Sequence, residues 1–346
     1  MYTTHCVLSS SSYISHNMSN QETEKHGHSS ADNNHHCPCV PADRPPLSQV
    51  TDRFGNTIHF GDAGDYWHPP FPIGANTDYR THVRNIEDME IRPDDLLICS
   101  YPKTGLHWTS EIISMLKRKN TEHISDGLLR DGFIDMKPIS SVDNVASPRI
   151  LITHVPFRHL PKQLFQKKIK FLLLDRNPKD VLVSYYNHWH MRKPPMGYAG
   201  TFEQFFQVYF EIGFLYGNYL DYTMEFQNGI EAHPELDVFI SVFEDMKLDP
   251  IGGVKKLNEY LQTECSDALC EEIAIACSFQ NLKEFKDQHT PESFKASLHA
   301  KSDSIYRKGE VGDWKNWFTV AMNEKFDKEY STRMKSYKTE YKYTLP

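Results

Sequence analysis

Tyr101-Pro102-Lys103-Thr104-Gly105-Leu106-His107-Trp108 separates two segments of different hydrophobic period. Before it, Asp95–Ser100 (DLLICS) is a short apolar run, the pattern of a buried strand. After it, Trp108, Ile112, Met115 and Leu116 recur at helical spacing. Pro102 ends the strand, and Gly105 admits close backbone approach. Free N–H groups at the helix start then face whatever sits in the turn, and orphan donors plus the helix dipole favour an anion. Lys103 adds a point charge that reaches a bridging phosphate oxygen. The turn differs from the GxxxxGK[ST] loop: its lysine precedes the glycine, and no Ser or Thr follows to hold magnesium. That favours a phosphate ligand without an obligatory metal and weighs against a P-loop kinase. Alone, the turn reads equally as an ordinary strand-to-helix connection with a surface lysine.

Working outward, strands are expected at Arg149–Val155 (RILITHV), Ile169–Leu174 (IKFLLL) and Val238–Phe243 (VFISVF). Pro178 precedes Val181–Met191, where it suits a helix's first turn, and Pro250 likewise precedes Val254–Leu261. Apolar runs alternating with helices predict an α/β, three-layer, P-loop-like fold with a central parallel sheet flanked by helices. Ligands of such sheets bind at the carboxyl ends of strands, where Lys103 and Arg176 both fall. Arg176-Asn177-Pro178-Lys179-Asp180 is a second basic cluster, with Ser184 one helical turn on. Arg307-Lys308-Gly309-Glu310-Val311-Gly312-Asp313-Trp314 is a third, two cations beside two glycines. Each alone reads also as a solvated basic loop. Together they point to a dianionic ligand with two separated phosphate groups. His154 ends a predicted strand at the same edge, where a neutral imidazole takes a proton from an acceptor hydroxyl.

The chain has 346 residues and a net charge of −8, which works against a protein that coats nucleic acid or an anionic membrane. Its apolar runs fall well short of the ~20 residues that span a bilayer. The N-terminal MYTTHCVLSSSSYISHN lacks the basic and apolar regions of a signal peptide. Seven scattered cysteines read as reduced thiols of a cytoplasmic protein. Residues 1–47 stand apart: His16–Cys39 is almost all Ser, Asn, His, Glu and Gln, closed by Pro38, Pro41, Pro45 and Pro46. Such a segment buries too little surface to offset its ordering entropy and reads as a disordered leader. His35-His36-Cys37-Pro38-Cys39 offers imidazole and thiolate, but its spacing fits no standard zinc module and no metal is assigned.

These segments together resemble the cytosolic sulfotransferases, which use 3′-phosphoadenosine 5′-phosphosulfate. The family's YPKSGTTW loop is similar to Tyr101–Trp108, its KTHxP segment to Ile152–Pro156, and its RNxKDxxVSYY stretch to Arg176–Tyr186. Its RKGxxGDWKNxFT signature appears at Arg307–Thr319. The resemblance runs from about Pro93 to the C-terminus, roughly three-quarters of the chain, and implies one sulfotransferase domain over residues 48–346. It implies that Lys103, Thr104, Gly105 and the backbone of Leu106, His107 and Trp108 hold the 5′-phosphosulfate. Arg176, Ser184, Arg307, Lys308 and Gly309 would hold the 3′-phosphate, and Trp108 and Phe279 would sandwich the adenine. His154 would be the general base, Lys103 would stabilise charge on the leaving phosphate, and Ser184 would hydrogen-bond Lys103 until the acceptor binds.

The sequence departs from the family pattern at five of these positions. Leu106 and His107 replace two threonines, Ile152 a lysine, and Phe243 and Cys277 a tyrosine and a threonine usually near the adenine. These changes leave open a nucleotide-binding, catalytically weak member. The acceptor would be a small, largely apolar molecule with a hydroxyl or amine. Phe71, Phe157, His188, Trp189 and Phe294 are candidate lining residues, and Lys286–Tyr306 reads as a polar lid. Lys315, Thr319, Val320 and Glu324 match the family's KxxxTVxxxE dimer signature, which implies a homodimer; the same stretch reads also as a surface turn before a helix at Asn323–Met334.

Overall fold

The structure is a computed structural model that describes residues 45–74, 77–124, 131–299 and 306–345. It begins with an antiparallel sheet of β1 (Ser48–Thr51), β2 (Thr57–Asp62) and β3 (Trp67–His68). The sequence reading assigned no element here. The signal is the tight turn between β1 and β2, where one Asp52 carboxylate oxygen accepts from the backbone of Phe54 and Asn56, both at 2.9 Å.

The four apolar runs form the central sheet: β4 (Leu96–Ser100), β5 (Ile150–Thr153), β6 (Lys170–Asp175) and β7 (Asp237–Val242). All pairs are parallel, in the order β5-β4-β6-β7. Alternate residues feed two cores. Leu97, Cys99, Leu151, Phe171 and Leu173 join one, with Val181, Tyr185, Phe205 and Tyr222 from the helices Pro178–His190, Phe202–Glu211 and Tyr219–Ala232. Leu96, Ile98, Ile150, Ile152, Leu172 and Leu174 join the other, with Ile112, Val254, Leu257 and Ile273 from Leu106–Arg118, Pro250–Leu261 and Asp267–Ala276. This is the three-layer α/β arrangement expected. A sheet buried on both faces explains why its strands read as continuous apolar runs.

Register decides where the chemistry falls. Cys99 lies opposite Thr153, Ser100 opposite Leu174, and Asp175 opposite Val242. Tyr101, His154, Arg176 and Phe243, each the next residue, therefore gather at one carboxyl edge. Some boundaries differ from the sequence reading. Phe243 leaves the last strand and opens the helix Phe243–Leu248. Arg149 precedes β5 because its buried guanidinium pairs with Asp95, at 2.6 and 2.9 Å. The C-terminal helix is Val320–Arg333, starting early because the Thr319 hydroxyl accepts from Met322 N at 3.2 Å. The supposed lid is helical in its described part, Phe279–His289 and Glu292–Ala296, and Lys286 pairs with Glu111 at 2.8 Å. Most of the leader, including His35–Cys39, lies outside the described residues. Among the described residues no helix is long and apolar enough to cross a membrane, and no three metal-ligating side chains cluster.

Candidate active site

The turn after β4 is held in an unusual backbone conformation. Lys103 has φ 78° and Gly105 φ 109°, both left-handed. A side chain is disfavoured there, and its tolerance at Lys103 marks a position fixed by its surroundings. Two bonds fix it: the Thr104 hydroxyl donates to Tyr101 O at 2.9 Å, and Arg176 Nη1 donates to Lys103 O at 3.1 Å. Gly105 is the cap of the Leu106–Arg118 helix and offers no side-chain acceptor, so first-turn donors stay open to a ligand. A Cβ at Gly105 would sit 3.1 Å from the Phe243 ring.

Arg176 joins all three basic clusters. It is buried, with its guanidinium 4.1 Å from the Phe243 centroid. Besides Lys103 O it donates to Glu310 O at 3.0 Å, so it ties the turn to the third cluster. Its Nε is buried without a hydrogen-bond partner. In the third cluster, Arg307 and Lys308 each lie 2.5 Å from Asp313. Burial alone would raise Asp313, but hydrogen bonds from Lys308, Asn316 and Arg307 outweigh it and hold it at about 2. Asp180 fixes this loop by accepting from Gly312 N at 2.7 Å and Trp314 N at 2.9 Å. Gly309 has φ 65° and lies flat on Phe279: a Cβ there would come within 2.2 Å of the ring. Trp108 meets Phe243 edge-on at 5.5 Å. A buried orphan guanidinium N–H, an uncapped helix start and two aromatic rings beside a cation-rich loop fit an adenine nucleotide with two phosphate groups.

His154 is held for base chemistry. Asp135, fully buried, accepts from His154 N at 2.8 Å, Thr153 Oγ1 at 2.6 Å and Tyr216 OH at 2.7 Å. Phe133 and Tyr216 clasp the ring edge-on at 4.9 and 5.4 Å. Nδ1 contacts the Ser100 carbonyl and lies 3.1 Å from Ser100 Oγ. A carbonyl only accepts, so Nδ1 carries the hydrogen and Nε2 the free lone pair. Burial pushes His154 down to about 4, and the Lys103 charge adds to that against the opposing Ser100 bond. The ring is therefore neutral at pH 7. Lys103 is pushed down to about 7 by burial and by the like charges of Arg176, Arg192 and Arg307.

Not every expected residue faces the site. The hydrogen bond expected between Ser184 and Lys103 is not formed. Leu106 packs into the core with Ile98, and Cys277 is fully buried with Sγ 3.5 Å from Met115 Sδ, so only backbone at these positions is available to a nucleotide. Ile152 is also fully buried. A lysine there would start in that core, where its charge would need a partner. Phe157 packs on Phe165 and Phe226 in the first core, and Trp189 is buried there too. Phe71 touches Phe133, the ring that abuts His154. His107 is exposed, its ring 6.0 Å from Tyr306. Asp135, Tyr216, Ser100 and Arg192 were missed, since none stands inside a basic or glycine-rich motif.

A parallel-sheet protein with a phosphate turn and an adjacent imidazole base is a broad class, and comparison narrows it. Residues 93–338 match the sulfotransferase domain family. Human sulfotransferase 1C2 is 33% identical over 258 residues, covering 72% of this chain and 86% of that protein. Bovine sulfotransferase 1E1 is 35% identical over 260 residues, covering 72% and 87%. The chain belongs to the sulfotransferase family and is an enzyme of sulfuryl transfer. Mouse sulfotransferase SULT7A1, solved in complex with PAP, aligns with a TM-score of 0.61 at 23% identity, covering 84% of this chain and 95% of its own. Retinol dehydratase in complex with androsterone and PAP aligns with a TM-score of 0.65 at 17% identity, covering 86% and 92%. At such identities these two structures support the fold alone.

Proposed function

We propose that this carboxyl edge carries out in-line transfer of a sulfuryl group from 3′-phosphoadenosine 5′-phosphosulfate to a hydroxyl or amine of a small acceptor, with His154 as general base. The observation that carries the reading is the tautomer of His154: Nδ1–H is pinned by Ser100 O, and Nε2 is left free at the strand end. The nucleotide supplies the activated sulfuryl group; the protein positions it and manages protons and charge. Arg176, Ser184, Arg307, Lys308 and Gly309 hold the 3′-phosphate. The adenine lies between Trp108 and Phe279. The turn at Lys103–Trp108 holds the 5′-phosphosulfate, and Lys103 Nζ stabilises charge that develops on the leaving phosphate oxygen. A preorganised donor of this kind is worth about 3–4 kcal/mol, and a positioned base about 10²–10⁴-fold.

The same reading includes a cytoplasmic homodimer. Val320 is 77% exposed at the start of its helix, flanked by exposed Lys315, Thr319 and Glu324. An apolar centre between a cation and an anion suits a self-complementary two-fold contact. Incubation with ³⁵S-labelled donor and a panel of phenols, alcohols and amines tests the chemistry. Label is expected in at least one acceptor class. A protein that binds 3′-phosphoadenosine 5′-phosphate yet transfers label to none of them would overturn the reading.

A further inference from the structure

One cation beside the transfer centre has no part in that chemistry. Ser184, His188 and Arg192 are spaced by four along and just beyond the Pro178–His190 helix, so they follow one face. The helix that carries the stripe packs on the Lys103 turn: Tyr185, next to Ser184, meets Tyr101 edge-on at 5.3 Å, and the Lys103 and Arg192 charges both act on His188. Arg192 is anchored: its N–H donates to Trp189 O at 3.2 Å, and it bridges Leu298 in antiparallel fashion. Its guanidinium lies 5.5 Å from the Trp189 centroid and 5.0 Å from the Phe294 centroid. Nη2 stands 3.3 Å from His188 Nε2, which must accept, so the hydrogen of His188 is on Nδ1. That Nδ1 is buried without a partner, and so is Arg192 Nε.

Each other guanidinium among the described residues holds at least one oxygen: Arg84, Arg92 and Arg118 hold hydroxyl, carbonyl or amide oxygens, and several hold carboxylates. Arg149 pairs with Asp95, Arg158 with Asp65 and Glu225, Arg307 with Asp313, and Arg333 with Asp221. Arg192 pairs with none among the described residues. A cation set between two rings loses hydration and needs a compensating charge. Arg176 has carbonyl acceptors in place of a carboxylate, but Arg192 has only an imidazole nitrogen.

Resting on the sulfuryl-transfer reading above, we propose that Arg192 and the Nδ1–H of His188 receive a carboxylate on the acceptor. The acceptor class is then hydroxylated organic acids, with the hydroxyl at His154 Nε2 and the carboxylate at Arg192. Arg favours this partner because its planar fork matches a carboxylate. The Phe294 ring would flank the apolar body between the two ends. Burial lowers Arg192 only to about 10, so it keeps its charge at neutral pH.

The test uses the full chain saturated with 3′-phosphoadenosine 5′-phosphate and calorimetric binding, so it does not require turnover. The probes are 4-hydroxybenzoate, 4-hydroxyphenylacetate and 3-(4-hydroxyphenyl)propionate, each against its neutral methyl ester. At least one acid should bind about tenfold or more tighter than its ester, the scale of a charge-assisted hydrogen bond. Arg192→Met should erase most of that ratio, and Arg192→Lys should keep part of it. No preference for any acid in the native protein overturns the proposal, as does an Arg192→Met protein that loses acid and ester equally. If Arg192→Met does not fold, the native ratio and that of His188→Phe decide. Transfer of ³⁵S to the esters without any acid preference would overturn this proposal alone. Acid preference in a protein that transfers no label would uphold Arg192 and overturn the chemistry on which it was placed.

Discussion

Around Arg176, Arg307 and Lys308 every cation already holds a protein oxygen, whereas Lys103 Nζ and His154 Nε2 hold none. The two regions lie on one sheet edge and are built by opposite rules. In the proposed nucleotide clamp, Lys103 O, Glu310 O and Asp313 already orient the cations, which would lower the ordering cost of binding a phosphate. At the transfer centre the protein holds everything except the reacting atom. Asp135 grips the backbone of His154, Ser100 takes its Nδ1–H, and Arg176 grips the carbonyl of Lys103. Binding groups are kept paired and reacting atoms are kept free.

The sharpest break of this contrast is His154→Ala, which should cut turnover by about 10²–10⁴-fold. Calorimetry with 3′-phosphoadenosine 5′-phosphate should show affinity within about twofold of native, because the clamp is untouched; turnover near native would merge the two regions. Next in size, Arg176→Met should weaken that nucleotide by about tenfold or more, one charge-assisted contact, and should weaken AMP less. Equal loss for both would mean that Arg176 acts only by tying the loops.

The pH profile sharpens the transfer centre. Lys103 must be protonated to stabilise the leaving group, and His154 must be neutral to accept a proton. Free-enzyme kcat/KM should therefore fall as pH drops through about 4 and as it rises through about 7. Lys103→Arg should remove the upper limb. The smallest effect on chemistry is expected from Val320→Glu, an exposed helix start that belongs to neither region. Light scattering should show monomers in place of native dimers, with nucleotide affinity within about twofold; a monomeric native protein would remove the interface.

The parts of the proposed nucleotide clamp stand out in the sequence because they are local: cations recur in short motifs at Lys103, Arg176 and Arg307, beside glycine turns at Lys103 and Arg307. Strand existence was legible for the same reason that both sheet faces are buried. The alternation of side chains within that sheet was not. Ile152 and Cys277 stand at motif positions but point into a core, so their family counterparts' chemistry does not transfer by position. Ser100 meets His154 through the parallel register of β4 and β5, while Asp135 and Tyr216 reach it from turns outside the sheet. No spacing in the chain announces them. Arg192 was hidden because Arg192-Lys193 after a helix looks like any other surface cation pair until its missing counterion is seen.

His154 as placed is a neutral base with its lone pair on Nε2. ¹⁵N-histidine NMR across a pH series reads this directly, with His154→Ala identifying the resonances. The expected result is the Nδ1–H tautomer, unchanged from pH 8 to below 6 and protonating near 4. An Nε2–H tautomer, or protonation at the ordinary value near 6.5, would contradict the account.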